Sequence, residues 1–219
     1  MKKQMMPRKS RIAQKGSKPL SPALFFGFLM ICFPFALGAG AGIIAANSLD
    51  ANVTDLFQSQ MAESIAHILS GTYEPTAFLS VFWQTGRYVI FAFLLGFSLI
   101  GVVALPILAS VQGFYFSFSI ALFVRIFGSA GFLTCVAFFG ASALFIVPCF
   151  FLIGAQSFVA ARSLFSALLH GQPLRLGEVF HKSFLLRGFI AALFICATSM
   201  FERHLTPLIL IWAESFLVL

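Results

Sequence analysis

The sequence predicts an all-α fold: a polytopic membrane protein of about five transmembrane helices, N-terminus in and C-terminus out. Three observations predict it. Hydrophobic residues make up 60% of the 219 and charged residues 10%, against roughly 45–50% and 25% in soluble domains. Long apolar runs recur along the chain, and mean hydropathy is +0.98. The cations are concentrated in two segments rather than spread evenly. So few charges cannot cover the surface of a water-soluble fold. A soluble globular enzyme is therefore excluded. So is a disordered chain, which needs low hydrophobicity. An outer-membrane barrel would alternate apolar and polar residues, and these runs do not.

Residues 1–21 read as a basic cytoplasmic tail, followed by a single membrane domain over 22–219. Lys2, Lys3, Arg8, Lys9, Arg11, Lys15 and Lys18 precede the first apolar run with no acid among them. Beside such a run, a basic tail reads as an orientation signal attracted to anionic lipid, not as a nucleic-acid arm. Residues 23–46 are uncharged, and as a helix they reach about 36 Å, enough to cross a hydrocarbon core of about 30 Å. A signal peptide cleaved near Ala39-Gly40-Ala41 is the alternative, but its apolar region would be only about 7–15 residues.

The next apolar region, from Arg87 to Phe127, is too long for one span. Pro106 divides it, because proline removes a helix hydrogen bond and clashes with the preceding turn. The expected spans are 87–105 and 107–127, with re-entry at 106–127 as an alternative. Gly128 to Gly131 break the pattern. A fourth span covers 132–160, with a kink expected at Pro148. A fifth covers 188–211.

This leaves an outer loop at 47–86 and an inner loop at 161–187. The first holds Asp50, Asp55, Glu63 and Glu74 with no Lys or Arg. The second holds Arg162, Arg175, Lys182 and Arg187 against Glu178 alone. Lys and Arg mark cytoplasmic loops, so both assignments agree with an N-terminus inside. Arg87, Arg125 and Arg203 fall at outer positions, and Tyr73, Trp83, Tyr88 and Trp212 map near the outer interface.

Within the outer loop, Val53, Phe57, Met61, Ile65 and Ile68 recur at helical spacing over 53–69, beside a polar stripe of Asp55, Ser59, Glu63 and His67. Asn52 is a candidate cap. Such a helix lies on the membrane or the bundle, or else docks an extracellular partner. The inner loop has two apolar faces, Leu164 to Leu169 and Val179 to Leu185, separated by a His170-Gly171-Gln172-Pro173 stop.

Catalytic chemistry is sought and not found. There is no P-loop, HExxH or GxSxG motif, and there are no paired carboxylates for glycosidase work. Cys32, Cys135, Cys149 and Cys196 lie in apolar runs and read as buried packing residues. His170 and His181 lack a ligand cluster. The sequence therefore implies no enzyme activity, no cofactor and no metal. Intramembrane ionisable groups are expensive and usually functional. Arg125, at a span end, reads as snorkelling. Glu202 reads either as a buried packing or partner contact or as the place where its span ends. Gln112, Gln156 and the span Ser and Thr residues can bridge helices at about 0.6–2 kcal/mol each. Gly38, Gly40 and Gly42 give a Gly-xxx-Gly spacing suited to close helix approach, within the chain or, less simply, between copies.

Several motifs occur in a telling order. A basic N-terminus leads to one span that ends in a glycine-rich exit, with Gly42, Asn47 and Ser48, and Leu56-Phe57 follows outside. Ala104-Leu105-Pro106 precedes Gln112-Gly113-Phe114, Pro148 lies in the next span, and Glu202 is followed four residues later by Thr206-Pro207. From about residue 20 to 210 this order and spacing resembles the stage II sporulation protein M family of integral membrane proteins. The chain is richer in phenylalanine than the family pattern, and 161–187 matches least. The resemblance implies a non-enzymatic scaffold in the bacterial cytoplasmic membrane. It would act in the engulfment step of sporulation, anchoring peptidoglycan-degrading enzymes, a lytic transglycosylase and an amidase/endopeptidase. The alternatives are a membrane component of an ABC-type exporter, coupled through 161–187, and a membrane enzyme centred on Glu202.

Overall fold

The computed structural model describes residues 22–50, 52–60, 78–135, 141–170 and 182–217. The elements are α1 (Pro22–Asn47), α2 (52–60), α3 (Phe78–Leu95), α4 (Gly101–Cys135), α5 (Ala141–Leu169) and α6 (Lys182–Leu217). No strand occurs among the described residues. Among the described residues, four stretches are long and apolar enough to cross a bilayer: Pro22–Asn47, Phe78–Leu95, Gly101–Ile126 and Ala143–Leu169. A shorter apolar helix, Phe184–Met200, lies within α6. The protein is thus a polytopic helical membrane protein.

Helix boundaries differ from those expected of hydropathy alone. The chain does not break at Pro106, which lies inside α4. It turns at 96–100 instead. Gly96, Phe97 and Ser98 close the end of α3 through i−3 backbone bonds, and Ile100 O accepts from the N–H groups of Val103 and Ala104 to start α4. Glycine is required at Gly101, where a Cβ would run into the carbonyl of Leu95. Pro106 sits only five residues into α4, so it removes one hydrogen bond near the helix start, where the cost is smallest. The second membrane helix accordingly covers 78–95 rather than 87–105.

Two other boundaries move. α5 covers 141–169 rather than 132–160, so Leu164 to Leu169, expected in the inner loop, finish a helix. α6 starts at Lys182 and continues past Glu202, Arg203, Thr206 and Pro207. Gly128 does break α4, with φ 60° and ψ −138°, a region nearly closed to residues with a Cβ. Asn52 is itself helical, so it is not a cap ahead of the helix. At this end, the N–H and Oγ1 of Thr54 both donate to Asp50 O, each at 3.1 Å. The remainder of the 53–69 prediction lies outside the described residues.

The contacts give each helix a direction. Gly38 of α1 meets Ser110 of α4, and Gly42 meets Phe114, so α1 and α4 run parallel. Gly27 meets Ala155, and Phe35 packs on Phe151, so α5 runs against α1. Gly86 meets Ile195, and Gly188 meets Phe93, so α3 and α6 are antiparallel. Five long helices therefore alternate up and down. The start of α1, the α3–α4 turn, the end of α5 and the start of α6 share one end of the bundle. Arg162, in the last part of α5, and Lys182 and Arg187, at the start of α6, lie toward that end.

Ile31, Val89, Leu105, Phe150 and Ile195 form the buried core where α1, α3, α4, α5 and α6 meet. In lipid, helices gain little by hiding apolar surface from one another, so close van der Waals contact must hold them. The most extensive pairing is α1 with α4. Its crossing is made by glycines on both sides: Gly38 and Gly42 fit against the α4 backbone, and Gly113 fits against the carbonyl of Phe35. Gly40 faces open space. The predicted Gly38–Gly42 spacing thus serves intrachain packing.

Candidate functional site

Among the described residues, three polar arrangements stand out. The first is at the far end of α1. Arg125 donates from Nη1 to Ala46 O at 2.6 Å and from Nη2 to Leu49 O at 2.8 Å. Arg125 is not merely snorkelling. Its charge sits on carbonyls that the helix leaves unpaired, at the negative end of the α1 dipole. Asn47 is the exposed last residue of α1, and Ser48 closes the same turn by donating to Ala45 O at 3.0 Å.

The second joins α3 to α6. Thr85 Oγ1 donates to Glu202 Oε2 at 2.9 Å in a part-buried setting. Of the two expectations for Glu202, the structure supports the packing contact. The other hydroxyls seldom bridge helices. Ser119, Ser163, Thr198 and Ser199 donate to the carbonyl four residues back on their own helix, the usual solution for a mid-helix hydroxyl.

The third is a cleft of about 270 Å³ between α3 and α4, backed by α5. α3 supplies Gln84, Thr85, Arg87 and Tyr88, and α4 supplies Gln112, Tyr115, Phe116, Ser119 and Ile120. Ala143, Ile146 and Val147 of α5 close the back. Two features set it apart. Gln112 is only 7% exposed, and its Oε1 has no hydrogen-bond partner in the protein. Arg87 was expected at the edge of a span, yet α3 begins at Phe78. That puts Arg87 about 14 Å along the helix axis, roughly midway along α3. Its guanidinium lies 4.9 Å from the Tyr88 ring centroid, with Nη2 3.4 Å from Tyr88 Oη. A signal for this position was present in the sequence, since 78–83 is already uncharged and apolar.

The remaining predicted residues are dispersed. Gly38, Gly42 and Gly113 meet at the α1–α4 crossing. Pro106 lies in the first half of α4. Pro148 is exposed and lines a separate, largely apolar groove of about 530 Å³ with Leu24, Phe28, Leu152, Arg187 and Phe194. Thr206 and Pro207 are in the last part of α6, and their side chains lie outside the described residues. Among the described residues no group of three metal-ligating side chains occurs. The four cysteines are free. His170 Nδ1 is 2.8 Å from Ser166 O at the end of α5, and His181 lies outside the described residues.

The bundle matches a family model described as "Stage II sporulation protein M" over residues 29–210. No curated protein matches, and no solved structure matches.

Proposed function

The chain belongs to the stage II sporulation protein M family, and from that premise we propose a non-enzymatic scaffold of the bacterial cytoplasmic membrane. It anchors and organises peptidoglycan-degrading enzymes, a lytic transglycosylase and an amidase/endopeptidase, during engulfment in sporulation. The observation that supports this reading is the extent of the match, which reaches into all five long helices. The polar contacts fit such a role. Arg125 fastens α4 to the end of α1, and Glu202 fastens α6 to α3. A stiff bundle with broad apolar faces is what lateral association in a membrane needs.

With the N-terminus inside, α2 and the acidic 47–77 segment face the wall side and offer the docking surface. Co-purification of the full chain with wall-degrading enzymes in mild detergent tests the proposal. Deletion of 50–77 should abolish recovery while leaving the chain in the membrane. Undiminished recovery would refute docking through this segment. Reporter fusions at Glu63 and Lys182 should report opposite compartments, and the same compartment for both would overturn the orientation.

A further inference from the structure

The groove between α1, α5 and α6 is polar at one end and apolar along the rest of its length. Its volume is about 530 Å³, within the roughly 300–1,000 Å³ of ligand pockets. Apart from the Cys149 thiol, its polar side chains among the described residues are Arg187 and Gln156. Gly188 packs on Phe93, and Gly96 packs on Ser157. Arg187 and Gln156 therefore both lie beside the last turn of α3, toward the end that the start of α1, the end of α5 and the start of α6 share. Away from that end the lining runs through Phe28, Leu152 and Ile190 to Phe194 and Leu144. Leu144, Leu152 and Phe194 are exposed, so the groove opens sideways to the membrane. Along α5, Gln156 and Leu144 are about 18 Å apart, close to the roughly 15 Å of one leaflet in a hydrocarbon core of about 30 Å.

Arg187 is exposed, and among the described residues no hydrogen bond or ion pair engages it. It lies in the second turn of α6, about 7.5 Å from the helix start at Lys182. Side chains on a helix tilt toward its N-terminus, so the guanidinium reaches back toward the end of the bundle, away from the apolar lining. A phospholipid has the same order, with charge at the membrane surface and hydrocarbon beneath it. We propose that this groove holds an anionic phospholipid of the leaflet at that end. Arg187 takes the phosphate in its two-pronged geometry, and the Gln156 carboxamide donates to a head-group oxygen. One acyl chain lies along Phe28, Leu152 and Phe194. With the N-terminus inside, this is the cytoplasmic leaflet, where basic pockets between membrane helices take acidic head groups. The cation favours this occupant over a neutral lipid, and the apolar length favours it over a soluble phosphate. The inference does not depend on the scaffold role.

The test is lipid retention by the full chain, measured by native mass spectrometry after extraction from mixed phosphatidylglycerol and phosphatidylcholine vesicles. The wild type should retain phosphatidylglycerol in preference to phosphatidylcholine, and Arg187→Gln should lower that retention about tenfold. Leu152→Trp, which fills the groove from an exposed position, should lower it as well. Arg162 serves as the control: it lies toward the same end but about 240° around α5 from Gln156, lining a separate pocket with Pro22 and Ser166. Arg162→Gln should leave retention unchanged. Equal retention of the two lipids by the wild type would overturn the proposal. So would an equal loss with Arg162→Gln, which would mean diffuse surface charge. Phosphatidylglycerol with a photoreactive group midway along its acyl chain should label Leu152 or Phe194. Labelling that avoids both would overturn the assignment and leave the groove to a helix of another protein. Binding of glycerol 1-phosphate as tight as that of the lipid would overturn it in favour of a soluble ligand. Circular dichroism of each variant separates lost binding from lost folding.

Discussion

Gly38 and Gly40 are two residues apart on α1, yet alanine should act on them with opposite sign. At Gly38 a Cβ would overlap the carbonyl oxygen of Ser110, with Ser110 C at 2.7 Å and Cα at 2.9 Å. All three are backbone atoms, and none can rotate away. α1 must therefore move off α4 by about 1 Å, and a gap of roughly 0.5–1 Å already forfeits a quarter to a half of each contact's attraction. The loss falls on the most extensive helix pairing in the bundle. Overpacking of this kind costs about 1–3 kcal/mol. At Gly40 nothing lies within 4 Å of the added methyl. There alanine removes a poor helix former and should gain up to about 1 kcal/mol. That propensity gain is common to both positions and cancels between them. The two variants should then differ by about 1–3 kcal/mol in reversible unfolding by denaturing detergent, with Gly40→Ala the more stable. Equal stabilities would refute the α1–α4 packing. A loss confined to Gly40→Ala would move the functional glycine face to a contact between copies.

Other residues give further tests. Thr85→Val should cost about 0.6–2 kcal/mol by removing the α3–α6 hydrogen bond, whereas Glu202→Gln, which still offers an acceptor, should stay within about 0.5 kcal/mol and keep full function in a sporulation assay. Loss of function in Glu202→Gln with stability intact would favour the enzyme reading of this residue. Gly128→Ala should destabilise by about 1–3 kcal/mol, because the residue holds a conformation strained for any side chain, and an unchanged unfolding midpoint would argue against the kink. Arg125→Gln should lower stability by about 1–2 kcal/mol and increase hydrogen exchange at the end of α1; exchange that stays the same would show that Arg125 does not close that helix.

The fold class was readable because hydropathy is a property of whole segments, and 60% apolar residues leave few alternatives. The glycine spacing was readable for a similar reason, since Gly38 and Gly42 repeat at one helical turn. The boundaries were not. Pro106 looked like the natural break, but a proline near a helix start costs little, while Gly96, Ser98 and Gly101 supply a turn that needs no proline. That misplacement concealed the cleft. With a span starting at 87, Arg87 belonged to the interface and called for no partner. With a helix starting at 78 it lies midway along α3, and its surroundings become a question. Arg125 was hidden differently, because its acceptors, Ala46 O and Leu49 O, are backbone atoms about eighty residues earlier, a pairing that no local pattern encodes.

The polar groups of the bundle thus fall into two kinds. Arg125, Thr85 and Glu202 have partners within the chain, and their geometry fastens one helix to another. Arg87 reaches only Tyr88, its neighbour on the same helix, and Gln112 Oε1 has no partner among the described residues. The first kind is what a scaffold requires, for a bundle that presents its faces to partner proteins must keep its helices in register. The second kind adds nothing to that register, since an unmatched buried carbonyl and an exposed arginine midway along a membrane-crossing helix both weaken a membrane fold. Replacing the fastening residues should therefore loosen the bundle and impair partner recovery together. Replacing Arg87 or Gln112 should leave the bundle as stable or more so. A variant of Gln112 that destabilised the protein as much as Thr85→Val would erase this division, and the cleft would then be one more packing contact.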